Sequence, residues 1–157
     1  MSKSRVVICD DHQVVVEGLK MIFQSNSNIE IVGSFLDPQE FKDYWNLHYV
    51  NIDVVLMDAH LKDEISGLDL KKDIKNQSAN CYWVLFSSFV DKYLAVQARK
   101  MGFHACVSKE IPATRLIQLI EYGSPEFYSF PDVLDRPEIR LIEKVLEGLT
   151  ALTKTEK

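Results

Sequence analysis

The chain has 157 residues, 46% of them hydrophobic and 26% charged, with a formal net charge of -5. That size fits one ordinary domain with a small appendage, and the balance is globular, which excludes a disordered or fibrous chain. The acidic balance argues against a large nucleic-acid surface, because neutralising phosphates needs a basic face.

No apolar run is long enough to cross a bilayer, and Met1-Ser2-Lys3-Ser4-Arg5 leads straight into a strand pattern instead of a signal-peptide core. A cytoplasmic protein with no membrane partner is the expectation. Cys9, Cys81 and Cys106 each lie in an apolar run and share no metal-ligand spacing, so they read as reduced core residues.

Arg5 to Cys9 (RVVIC) is a short apolar run ending in Asp10-Asp11, the pattern of a buried strand with acids at its carboxyl end. Val14, Val15, Gly18, Leu19, Ile22 and Phe23 follow at helical spacing, and Ser25 to Asn28 stop that helix. Ile29 to Phe35 predicts a second strand; Asp37-Pro38 then supplies an N-cap and a proline at the first helical position. The helix places Phe41, Tyr44, Trp45 and Leu47 on its apolar side and fades near His48-Tyr49.

Val54-Val55-Leu56-Met57-Asp58 is a third buried strand running into a carboxylate. After a polar loop, His60 to Ser66, periodicity predicts a helix from Leu68 that ends between Asn76 and Asn80. Cys81 to Phe86 is a fourth strand with Ser87-Ser88 at its end, and Asp91 to Met101 a helix closed by Gly102. His104 to Ser108 is a fifth, shorter strand ending at Lys109, and Ile111-Pro112 opens a helix through Leu116, Leu119 and Ile120.

Five strand and helix alternations with long crossovers specify an α/β fold, a doubly wound five-stranded parallel sheet. Right-handed crossovers put all strand ends on one rim, where open α/β sheets bind ligands. That rim collects Asp10, Asp11, Asp58, Ser87 and Lys109. Clustered carboxylates repel one another and shift toward protonation unless a cation sits between them. An all-oxygen set suits Mg2+, Lys109 can pair with a phosphoryl oxygen and a serine can donate to it, a combination that fits phosphoryl transfer to a carboxylate.

The sequence resembles the receiver domain of bacterial two-component response regulators. The likeness is carried by Val6 to Leu19 (VVICDDHQVVVEGL), Asp53 to Asp58 (DVVLMD), Gly67-Leu68, Ser87, Met101-Gly102 and Val107-Ser108-Lys109, in order over residues 5 to about 121. Asp-Asp-His-Gln and Val-Glu-Gly-Leu look most like the NarL/FixJ subfamily, whose receivers control a LuxR-type helix-turn-helix. The resemblance implies a flavodoxin-like receiver fold and a phosphoacceptor signalling domain that is not an enzyme beyond slow self-dephosphorylation. Asp58 would take phosphoryl from a sensor histidine kinase. Asp11 and Asp58 would hold Mg2+ directly, Asp10 through water, and the backbone carbonyl of His60 would complete the metal site. Lys109 would pair with the phosphoryl group, and Ser87 would swing toward it and switch the fourth helix and fifth strand.

The family pattern is not followed everywhere. The loop after Asp58 lacks the usual proline and is one residue longer, and the aromatic expected three residues before the lysine is Cys106, so no rotating ring can serve the switch. A phosphorylation-independent pseudo-receiver acting as an interaction or dimerisation module is the alternative these departures suggest. An aspartate-nucleophile phosphatase would need a general acid near Asp58, where only His60 stands. Taken alone, Asp10 and Asp11 could be a helix cap and a solvated acid, and Ser88 competes with Ser87; His12, His48 and His104 read as structural or exposed. Phe89 is placed to shield a phosphoryl group from water.

Residues 1–122 form the receiver in this reading. Residues 123–157 are a linker with three prolines in Ser124 to Pro137, an amphipathic helix at about 137–149 (Ile139, Ile142, Val145, Leu146, Leu149), and Leu152-Thr153-Lys154-Thr155-Glu156, a capping box like that opening a LuxR-type DNA-binding domain. A homodimer through the fourth-to-fifth helix face or the linker helix is expected, with DNA contacted only through a domain beyond this chain.

Overall fold

The computed structural model describes residues 3–75, 80–123 and Val145. In chain order the elements are β1 (Ser4–Cys9), α1 (Gln13–Gln24), β2 (Ile29–Phe35), α2 (Pro38–His48), β3 (Val54–Asp58), α3 (Gly67–Asp73), β4 (Tyr82–Ser87), α4 (Lys92–Lys100), β5 (Ala105–Ser108) and α5 (Ala113–Tyr122). The strands pair in parallel in the order β2-β1-β3-β4-β5.

Strand alternation splits the core into two layers. Val7, Cys9, Val55, Met57, Trp83, Leu85 and Cys106 face α2, α3 and α4, meeting Phe41, Trp45, Leu70, Ala95 and Ala98. Val6, Ile8, Val54, Leu56, Val84, Phe86 and Val107 face α1 and α5, meeting Val16, Leu19, Phe23, Leu116 and Leu119. Central β3 and β4 are buried throughout, hence their unbroken apolar runs, while edge strand β2 is mostly half-buried.

Helix starts follow their caps. Asp37 accepts from the Glu40 N–H with Pro38 at the first position, Ser66 accepts from the Leu68 N–H and Asp91 from the Leu94 N–H. Two predicted apolar-face residues turn outward: Val14 on α1 and Leu47 on α2. Each lies two positions, about 200° of helix, from the inward row set by Val16 and Trp45, so neither can share that face. One cation is taken inside: Lys71 of α3 is buried, its Nζ 5.1 Å from the Trp83 ring centroid and 5.9 Å from that of Phe103. The all-buried, unpaired cysteines match the sequence reading. The third helix ends at Asp73, short of the Asn76 to Asn80 stretch where its end is predicted, because Ile74 turns extended and is buried in the core; the helix at 137–149 and the 152–156 capping box lie outside the described residues except for Val145. No helix among those residues is long and apolar enough to cross a membrane.

Candidate phosphoacceptor and metal site

The β1, β3 and β5 ends bring four of the predicted side chains together. Asp10 continues the β1 ladder through its N–H to the Phe35 carbonyl, and Lys109 is held by its N–H to the Ser87 carbonyl. From there Lys109 Nζ lies 2.7 Å from Asp10 Oδ2 and 3.3 Å from Asp58 Oδ2. Asp10 and Asp58 are 2% and 3% exposed, so these carboxylates have little water to solvate them. Asp11 is less enclosed.

Burial, and next the neighbouring Asp10 carboxylate, push the Asp58 carboxyl up to about 6; the His60 N–H and Lys109 pull against that rise. Asp10 Oδ2, Asp11 Oδ1 and Asp58 Oδ2 are buried without a directed hydrogen bond, although the Lys109 ammonium is in ion-pair range of two of them. Coulomb attraction needs proximity more than alignment, so the Lys109 ammonium partly compensates Asp10 Oδ2 and Asp58 Oδ2. A single ammonium still leaves three carboxylates under-compensated. Such an oxygen-rich, net-negative pocket fits a hard divalent cation.

His12 joins this cluster, which its sequence reading as structural or exposed did not anticipate. Its Nδ1 is 3.1 Å from Asp10 Oδ1 and from Asp11 Oδ1, and 3.7 Å from Asp58 Oδ2. Ligand atoms of Asp10, Asp11, His12 and Asp58 all lie within 4.8 Å of one another. The available sequence signal was its place directly after the acid pair, where the chain turns into α1 with His12 as N-cap.

The loop after Asp58 closes on itself despite its extra residue. The Leu61 N–H bonds the Ile65 carbonyl and the Gly67 N–H the Ala59 carbonyl, giving an isolated antiparallel bridge between His60 and Ser66. Asp63 and Glu64 take positive φ of 58° and 59° to make the tight turn. Neither bridge bond uses the His60 backbone; its N–H instead donates to Asp58 Oδ1 at 3.2 Å. Gly67 is required by contact: a Cβ there would overlap the Asp58 carbonyl oxygen.

Ser87 is 1% exposed, whereas Ser88 is exposed. The Ser87 hydroxyl donates to the Phe89 carbonyl at 2.9 Å and accepts a longer contact from the Phe89 N–H, so it is turned back into its own loop. Cys106 is fully buried under α4, its thiol pushed up to about 12 by burial and, secondarily, by Asp91. The Phe89 ring is 74% exposed, so packing does not hold it over the pocket.

The response regulator receiver domain model matches residues 6–121. The chain belongs to that family, a family of signalling domains. It is similar to the transcriptional regulatory protein ComA of Bacillus subtilis, 26% identical over 117 residues covering 74% of this chain and 54% of ComA. It is likewise similar to DegU of Brevibacillus brevis, 26% identical over 120 residues covering 76% of this chain and 50% of DegU. The chain thus spans about half the length of these curated relatives. A LuxR-family two-component response regulator from Aurantimonas has the same fold, with a TM-score of 0.71 at 21% identity, covering 94% of this chain and 99% of that one.

Proposed function

We propose that this receiver accepts a phosphoryl group on Asp58 from a sensor histidine kinase, with Mg2+ in the acidic pocket, and passes the change to a transcriptional output. The observation that carries the reading is the convergence of Asp10, Asp11, Asp58 and Lys109 on one rim, with buried carboxylate oxygens facing one another. A bound Mg2+ neutralises carboxylate and phosphoryl oxygens. Asp10, Asp11 and Asp58 would hold it, together with the His60 carbonyl.

In the transfer, an ionised Asp58 oxygen attacks phosphorus as the phosphohistidine P–N bond breaks, and the released imidazole takes up a proton. Lys109 sits beside Asp58 Oδ2, where its ammonium can meet charge on the incoming phosphoryl oxygens. The Ser87 hydroxyl leaves the Phe89 carbonyl to donate to the phosphoryl group. That movement rearranges the β4–α4 loop and signals to α4. With Cys106 in place of a ring, repacking of this loop carries the signal. DNA contact belongs to sequence outside the receiver, and dimerisation uses the α4–α5 face, where Tyr93 and Tyr122 are exposed, or the linker segment.

Self-dephosphorylation is slow in this account because Phe89 offers an incoming water no hydrogen-bonding group; Phe89→Asn shortens the phospho-Asp58 lifetime, and an unchanged lifetime removes the idea. The reading as a whole is tested by adding Mg2+ and beryllofluoride and following oligomeric state by light scattering. A shift in wild type that Asp58→Asn abolishes supports it; no shift and no bound fluoride favours a phosphorylation-independent module.

A further inference from the structure

We propose that His12 is a nitrogen ligand of the acidic pocket, so that the site takes borderline divalent transition-metal ions in preference to a purely oxygen-ligated hard ion. The inference rests on the reading of Asp10, Asp11 and Asp58 as a divalent-cation site, and concerns which cations that site selects.

The geometry is already that of a shared coordination sphere. His12 Nδ1 is 3.1 Å from one oxygen of Asp10 and one of Asp11. Adjacent ligands around a six-coordinate ion with bonds of about 2.1 Å stand about 3 Å apart. The third carboxylate, Asp58 Oδ2, lies 3.7 Å from the same nitrogen. The pocket is also short of positive charge: the Asp10 and Asp58 side chains are 2% and 3% exposed, and the one Lys109 ammonium, 2.7 Å from Asp10 Oδ2 and 3.3 Å from Asp58 Oδ2, is shared between them. The imidazole is held at the mouth by Asp10, whose Oδ1 accepts the His12 backbone N–H at 2.8 Å and lies in hydrogen-bond contact with ring Nδ1 at 3.1 Å, while the side chain is 61% exposed. An ion entering between the carboxylates therefore meets a ring nitrogen without any movement of strand or helix.

Magnesium gains little from imidazole, whereas Mn2+, Co2+ and Zn2+ bind it well, in the rising order expected for such sites. His12 thus converts an all-oxygen set into one nitrogen and three carboxylates. The consequence is a higher affinity for Co2+ relative to Mg2+ than three carboxylates and a carbonyl supply.

The test titrates Mg2+ and Co2+ separately into wild type, His12→Ala and Asp58→Asn by calorimetry, and records the visible absorption of the Co2+ forms. The expected result is that His12→Ala lowers the ratio of Co2+ to Mg2+ affinity roughly tenfold or more, with loss of the nitrogen-ligand signature in the Co2+ spectrum. An equal change for both ions, or an unchanged spectrum, overturns the proposal while leaving the oxygen-ligated pocket standing. Failure of wild type to bind either ion, or binding that survives Asp58→Asn undiminished, overturns the pocket reading itself and this inference with it.

Discussion

Lys109 Nζ stands 3.3 Å from Asp58 Oδ2 although their strands are not neighbours: β4 lies between β3 and β5. Two strand spacings are roughly 10 Å, so the lysine side chain must reach back across the β4 end to arrive there. It is also 2.7 Å from Asp10 Oδ2, one strand further on. Lys109 is therefore the cation that ties three strands at the rim. Lys109→Met is expected to keep the fold while slowing Asp58 phosphorylation by small phosphodonors on the order of 100-fold, the usual cost of removing one preorganised charge. Single-turnover phosphorylation rates measure it; a change under about threefold is too small for a charge facing the reaction.

Asp58 gives the metal-free protein a distinctive pH response. Its carboxyl is raised from 3.8 to about 6 by burial and by Asp10. A raised folded value means that folding favours the protonated form. The stability this supplies is complete below about 4 and is lost as pH rises through about 6. Cation binding needs the ionised form, so Mg2+ raises Tm more at pH 7.5 than at pH 5. Thermal denaturation with and without Mg2+ at the two pH values measures this; an equal gain at both contradicts it.

Gly67 meets the Asp58 carbonyl so closely that no side chain fits. Gly67→Ala must push α3 away from the β3 end, and overpacking of this kind costs about 1–3 kcal/mol. Urea denaturation gives the loss, and the variant is also expected to bind Mg2+ more weakly, because the same shift moves the His60 backbone.

His104 makes a second pH-dependent contact far from the rim. Its Nδ1 accepts the Trp83 N–H at 3.0 Å while its own N–H donates to the Trp83 carbonyl, so the ring must be neutral at Nδ1. Burial, and next Lys71, lower its pKa below 6.5. A lowered folded value places its stability above about 6.5, to be lost as pH falls through the folded value. His104→Phe leaves the Trp83 N–H without this acceptor and costs about 1 kcal/mol at pH 7.5. The difference from wild type narrows by pH 5, as equilibrium unfolding at the two pH values checks.

The strands were legible because β3 and β4 are covered on both faces and so must be apolar at every position. Edge strand β2 was legible from its alternation. The acids and Lys109 could be placed on one rim because parallel connection puts all carboxyl ends together. Periodicity was less informative where a helix carries apolar residues that the core does not claim, as with Val14 and Leu47. The role of His12 at the pocket was hidden because it depends on a turn between β1 and α1 that aims one ring at three carboxylates. The rearranged hydrogen bonds after Asp58 were hidden too, since the length of that loop shows an insertion without showing the positive φ at Asp63 and Glu64 that absorbs it.

The most direct measurement is intact-protein mass after incubation with Mg2+ and acetyl phosphate. Wild type is expected to gain one phosphoryl group that is lost on addition of hydroxylamine, and Asp58→Asn to gain none. A wild type that stays unmodified, or an Asp58→Asn variant modified to the same extent, contradicts the assignment of Asp58 as the phosphoacceptor.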